Sequence, residues 1–128
     1  MRSIKNIGHF CKNDCNGFII NDASLDKIDT LFYKLIEMVI DTYRQKLGSN
    51  LHSIYIRGSI PRGLGIPGVS DLDTVCVTNK ELKDIDLDWA DKAERELNNA
   101  FNCVNGVEMS FFHLNDICNT KLFSIYPL

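Results

Sequence analysis

The sequence predicts an α/β or α+β sandwich: a small mixed sheet with helices packed on one face. Three observations predict it. Apolar residues recur at spacings of three and four between Leu25 and Tyr43, and again between Trp89 and Phe101, as on two amphipathic helices. Three runs near 51–57, 71–78 and 106–114 are rich in β-branched and aromatic residues, as strands are. The link between the first two runs, residues 58–70, is too short and too Gly-rich for a crossover helix, so part of the sheet is antiparallel or mixed.

Residues 1–20 show no clear period, and KNDCNG (Lys12 to Gly17) reads as a turn. Phe18 to Ile20 reads equally as a short strand or a docking segment. A helix is predicted over about 24–47 from the stripe Leu25, Ile28, Leu31, Phe32, Leu35, Ile36, Val39 and Tyr43. Ser24 or Asp22 is placed to accept its first N–H groups, and Gly48 to end it. LHSIYIR, Leu51 to Arg57, is the first strand. Residues 58–70 form a loop, with at most one helical turn begun at Pro61. DLDTVCVT, from Asp71, is the second strand, and NKELKDID a polar connection. Trp89, Ala90, Ala93, Leu97, Ala100 and Phe101 mark the second helix. GVEMSFFHL is the third strand, with Val107, Met109 and Phe111 on one face and Glu108 and Ser110 on the other.

A chain of 128 residues, 45% hydrophobic, is enough for one domain with a real core. A single domain over 1–128 is expected, its core at about 24–112. The net charge of −3 creates no global field to attract nucleic acid. Neither the N-terminus nor any later run has the apolar length of a signal peptide or membrane span, so a soluble, cytoplasmic protein with no membrane partner is expected. Five cysteines at irregular spacings, Cys11, Cys15, Cys76, Cys103 and Cys118, do not form a secreted disulfide pattern. Cys76 and Cys103, in apolar surroundings, are expected to pack as small hydrophobes. His9, Cys11 and Cys15 lack a fourth ligand at a zinc-site spacing.

The chemistry concentrates in YIRGSIPRGLGIPGVSDLDTVCV, Tyr55 to Val77. A strand sends alternate side chains to the same face, so Asp71 and Asp73 point the same way. Two close carboxylates repel unless a cation sits between them or one takes a proton. Their hard oxygens suit Mg²⁺, which takes one or two carboxylates and fills its other positions with water and phosphate. Gly58, directly off a strand, lets backbone N–H groups approach an anion, and Ser59 adds a hydroxyl. Arg57 and Arg62 flank the loop with forked donors for phosphate charge. Glu108 joins the aspartates if its strand neighbours theirs. Taken singly, each has a plainer reading: a D-x-D pair can be a solvated strand end, Glu108 the polar face of a half-exposed strand, Ser59 a helix cap, and Arg62 a solvated loop residue.

The combination of Gly58-Ser59, a Gly-rich loop, Ser70-Asp71-Leu72-Asp73 and a later Glu108 resembles the polymerase β-like nucleotidyltransferase superfamily. Within it, the stretch is most similar to stand-alone bacterial domains: those of aminoglycoside adenylyltransferases and the minimal nucleotidyltransferases of toxin–antitoxin pairs. The resemblance covers about residues 50–112. It implies the nucleotidyltransferase fold and transfer of a nucleotidyl group, AMP from ATP, to an acceptor hydroxyl with release of pyrophosphate. It implies that Gly58 and Ser59, with Arg57, Arg62 and Ser70 around them, bind the nucleotide. Asp71 and Asp73 would hold two Mg²⁺ ions, and Glu108 would complete the metal site or act as base. Adenylyltransferases of this kind continue into a helical domain, for which the sequence after Phe112 has no room. The resemblance thus implies a partner, a second copy or a longer enzyme supplying that wall, or a weak catalyst that binds nucleotide as a regulatory subunit or as the antitoxin-type partner of a helical protein. The acceptor itself is not legible.

Overall fold

A computed structural model of the chain describes residues 10–118. Its three strands are β1 (Leu51–Arg57), β2 (Leu72–Thr78) and β3 (Val107–His113). Three helices accompany them: α1 (Tyr33–Leu47), α2 (Ala90–Ala100) and the short α3 (Leu114–Cys118). The order helix, strand, loop, strand, helix, strand is the expected one. The sheet runs β1-β2-β3, with β1 antiparallel and β3 parallel to β2, so it is mixed. The Gly-rich loop after β1 holds no helix longer than one turn and returns the chain antiparallel, whereas α2 supplies the crossover that a parallel neighbour requires.

Both main helices cover one face. From β2, Leu72, Thr74 and Cys76 point into that core; Leu35, Val39 and Tyr43 reach it from α1, Ala93 and Leu97 from α2, and Val107 and Met109 from β3. Tyr43, Trp89 and Phe111 pack edge to face at centroid distances of 5.6 to 6.5 Å where the three elements meet. Cys76 is fully buried, and burial pushes its thiol up to about 12, so it packs as a hydrophobe; Cys103 lies half-buried against the same core.

Three expectations change in detail. The first helix does not begin near residue 24. Two separate three-residue turns, Leu25–Lys27 and Thr30–Phe32, precede α1, each with its own cap: Ser24 accepts from the Asp26 N–H and Asp29 from the Leu31 N–H. Ile28 and Asp29 between them are extended, with ψ of 125° and 137°. Two capping side chains five residues apart offer the backbone an alternative to one continuous ladder, and it takes that alternative. Only Ile28 and Phe32 of the stripe's first half are buried, while Leu25 is 75% exposed. β2 starts at Leu72, leaving Asp71 just outside the ladder. Phe18 to Ile20 make no strand of the sheet: KNDCNG turns at Gly17 (φ 85°), and the segment pairs locally through a bridge from Asn13 to Ile19 flanked by hydrogen bonds from the Asp14 N–H to the Phe18 carbonyl and from the Ile20 N–H to the Lys12 carbonyl. His9 lies outside the described residues. Among the described residues no helix is long and apolar enough to cross a membrane.

Candidate active site

The face of the sheet away from the helices carries one row of charged side chains. Arg57 of β1 lies opposite Asp73 of β2, and Asp73 opposite Glu108 of β3. The row follows from alternation: with Leu72 and Thr74 buried, Asp73 must face out, and with Val107 and Met109 buried, so must Glu108. Register unites what sequence separates.

Asp71 joins the row from the loop end. Its neighbours are pinned to the turn before β3: the Leu72 N–H donates to the Gly106 carbonyl at 2.8 Å and the Asn105 N–H to the Ser70 carbonyl at 3.0 Å. A hollow of about 180 Å³ is lined by Asp71, Asp73, Asn105, Gly106, Val107 and Glu108. Such a volume suits a cation with a few phosphate oxygens rather than a whole nucleotide, since ligand pockets typically run to roughly 300–1,000 Å³. Larger hollows lie elsewhere, among them one along the free edge of β1 and one beside Arg62. None of the larger ones contains these carboxylates.

Two glycines let the backbone close on the acids. A Cβ at Gly58 would stand 3.3 Å from Asp73 Oδ2, and one at Gly106 would stand 3.2 Å from Asp71 Oδ1. Gly58 also has φ of 89°, which disfavours any side chain. Just after it, the loop folds back on Ser59, whose carbonyl accepts from the N–H groups of Arg62 and Leu64. Ser59 therefore starts a short turn, Ile60–Arg62, but its hydroxyl does not cap it. The hydroxyl lies 3.2 Å from that of Ser70, which accepts from the Ile66 N–H at 2.8 Å. The two serines clasp the ends of the loop.

Burial and the neighbouring carboxylate of Glu108 raise Asp73 above the usual carboxylate range; Asp71 adds to the rise, and Arg57 opposes it. Glu108 Oε1 accepts from Arg57 Nη2 at 3.2 Å and from the Ser110 hydroxyl at 2.7 Å. Beneath the row, Tyr43 donates to Thr74 Oγ1 at 2.9 Å, and Thr74 donates to the Glu108 carbonyl at 2.8 Å. That relay ties β3 to α1 through the core.

The structure thus brings Asp71, Asp73, Glu108, Arg57 and Gly58 to one end of the sheet, with Ser59 and Ser70 at the neighbouring loop ends. It does not bring Arg62 there. Arg62 Nε donates to both Asp22 carboxylate oxygens, at 3.0 and 3.2 Å, and lines a separate hollow with Lys27 and Ile20. Three further residues escaped sequence reasoning: Gly106, Thr74 and Ser110. Their signals were a glycine entering a strand, a threonine at a core-facing position of an apolar strand, and a serine two residues past Glu108.

The donor set fits a hard divalent cation. It consists of the carboxylates of Asp71, Asp73 and Glu108 around a hollow that the missing Cβ of Gly106 helps keep open, with Gly58 close against Asp73. Among the described residues no group of three or more His, Cys, Asp or Glu side chains stands close enough together to hold a metal ion. An open arrangement is what Mg²⁺ accepts, since it keeps waters and takes few protein carboxylates.

Comparison with curated proteins and with solved structures finds no match. The family model described as "Nucleotidyltransferase domain" matches residues 36–113, which run from α1 to the end of β3 and contain every residue of the charged row. That match covers more than half of the 128 residues, and the chain belongs to the nucleotidyltransferase domain family.

Proposed function

We propose that this domain transfers a nucleotidyl group, AMP from ATP, to a hydroxyl of a small molecule or a protein, in a reaction that depends on Mg²⁺. The observation that carries this reading is the convergence of Asp71, Asp73 and Glu108 at the Gly58 turn. In the transfer, the acceptor oxygen bonds to the α-phosphorus while the bond to the bridging oxygen of the β-phosphate breaks. Pyrophosphate leaves with that electron pair, and the hydroxyl proton passes to Glu108, the base in this reading. Asp71 and Asp73 would hold two Mg²⁺ ions, with Glu108 completing the metal site where it is not the base, and the ions would supply charge neutralisation to the transfer. Ser59 and Ser70 offer hydroxyls to the phosphates, Gly58 gives them room, and Arg57 adds a forked donor. Arg62 would have to leave Asp22 to take part.

One observation favours a second reading, nucleotide binding without transfer. Glu108 Oε1 already accepts two hydrogen bonds, from Arg57 and Ser110, which leaves only its other oxygen to take a proton. Pyrophosphate release from ATP with Mg²⁺ and hydroxyl acceptors, followed in the wild type and in Asp71→Asn, separates the two. Release that is lost in the variant supports transfer. Nucleotide binding with no release supports the second reading, and equal release in both proteins sinks the site.

A further inference from the structure

We propose that Arg57 is a built-in counter-ion of the carboxylate row, which a divalent cation must displace from Glu108 and which then passes to the phosphate chain of the nucleotide. This rests on the reading of the row as a cation site. Arg57 lies on the outermost strand with Asp73 and Glu108 in line beyond it, and its guanidinium spans that row to reach Glu108 Oε1 at 3.2 Å. Ser110, on β3 itself, donates to the same oxygen at 2.7 Å, so Oε1 is fixed by one donor from β1 and one from its own strand. A cation ligated by Asp73 and Glu108 would sit beside the Arg57 guanidinium, and two like charges crowded on one pair of carboxylates repel, so they are alternatives rather than companions.

Displacement has a natural destination. Arg57 is followed at once by Gly58 and Ser59, so its side chain starts where a phosphate chain would meet the loop, and a planar guanidinium binds two phosphate oxygens as readily as a carboxylate. The exchange is inexpensive, because Arg57 and Glu108 are 43% and 53% exposed and such an ion pair is weak. Loading then has an order. Cation alone competes with Arg57, whereas cation and nucleotide together give Arg57 a new partner, so each favours the other's binding.

The test compares the wild type with Arg57→Met and Arg57→Lys, using Mn²⁺ alone and then Mg²⁺ with α,β-methylene-ATP, both followed by calorimetry. Arg57→Met should bind Mn²⁺ about two- to five-fold more tightly, as loss of an exposed ion pair allows. It should bind the nucleotide analogue about ten-fold more weakly, as loss of a charge-assisted contact predicts. Arg57→Lys should restore part of both effects. Weaker or unchanged Mn²⁺ binding in Arg57→Met overturns the proposal, as does unchanged binding of the analogue. Asp73→Asn serves as the control on the site itself. If it leaves Mn²⁺ affinity untouched, the cation-site reading fails and takes this proposal with it.

Discussion

Gly58 and Asp73 stand so close that a single methyl group at the glycine would come within 3.3 Å of the carboxylate oxygen Asp73 Oδ2. The glycine is thus both a turn residue and part of the wall of the site. Gly58→Ala must adopt φ near +89° and also push Asp73 aside. We expect a loss of about 1–2 kcal/mol in urea unfolding, from the left-handed backbone alone. Cation affinity should fall as well, because Asp73 cannot keep its place. Unchanged Mn²⁺ binding in a folded Gly58→Ala protein would show that the close approach has no role in the site.

Thr74 is the hinge of a buried relay, accepting from Tyr43 and donating to the backbone carbonyl of Glu108. Thr74→Val leaves the Tyr43 hydroxyl and that carbonyl without their partner. The expected cost is about 1–3 kcal/mol by chemical denaturation. Tyr43→Phe removes the donor, so the double variant should cost less than the sum of the two single ones. Strict additivity would mean that the hydroxyls do not act together.

Much of the fold is legible in sequence because strands and helices announce themselves by local spacing. β1 occupies Leu51–Arg57 as expected, and Val107, Met109 and Glu108 fall on the faces their alternation assigns. What spacing cannot show is register. Nothing in the string places Glu108 beside Asp73 rather than a strand away, because that pairing depends on α2 returning the chain parallel to β2. The start of the first helix is hidden for a related reason: Leu25, Ile28 and Leu31 keep helical spacing, yet the caps at Ser24 and Asp29 break the segment into two turns. By sequence Arg62 belongs with the loop that carries it. Its carboxylate partner, Asp22, comes from a stretch with no periodicity to announce it.

The raised pKa of Asp73 fixes a sign. Folding lifts this group above its unfolded value, so its charged form is disfavoured in the folded protein. The resulting penalty is present above the folded pKa and is relieved as the pH falls through it toward the unfolded value. Asp73→Asn should therefore leave the Tm unchanged or raise it slightly at pH 7, while abolishing cation binding. A Tm lowered by several degrees would show that Asp73 serves stability instead.

The same shift governs cation binding, since a protonated carboxylic acid is a poor ligand. Mn²⁺ affinity should decline on acidification at a pH above the ordinary Asp value, and Asp71→Asn should move that midpoint down by removing a neighbouring negative charge. A midpoint at or below the ordinary value would contradict the crowding of carboxylates in the row.

The most direct measurement is calorimetric titration of the protein with ATP in the presence and absence of Mg²⁺, beside Asp71→Asn and Asp73→Asn. The account predicts Mg²⁺-dependent binding in the wild type and its loss in both variants, each still folded by circular dichroism. Binding that needs no Mg²⁺, or that survives in either variant, would contradict the assignment of these two aspartates.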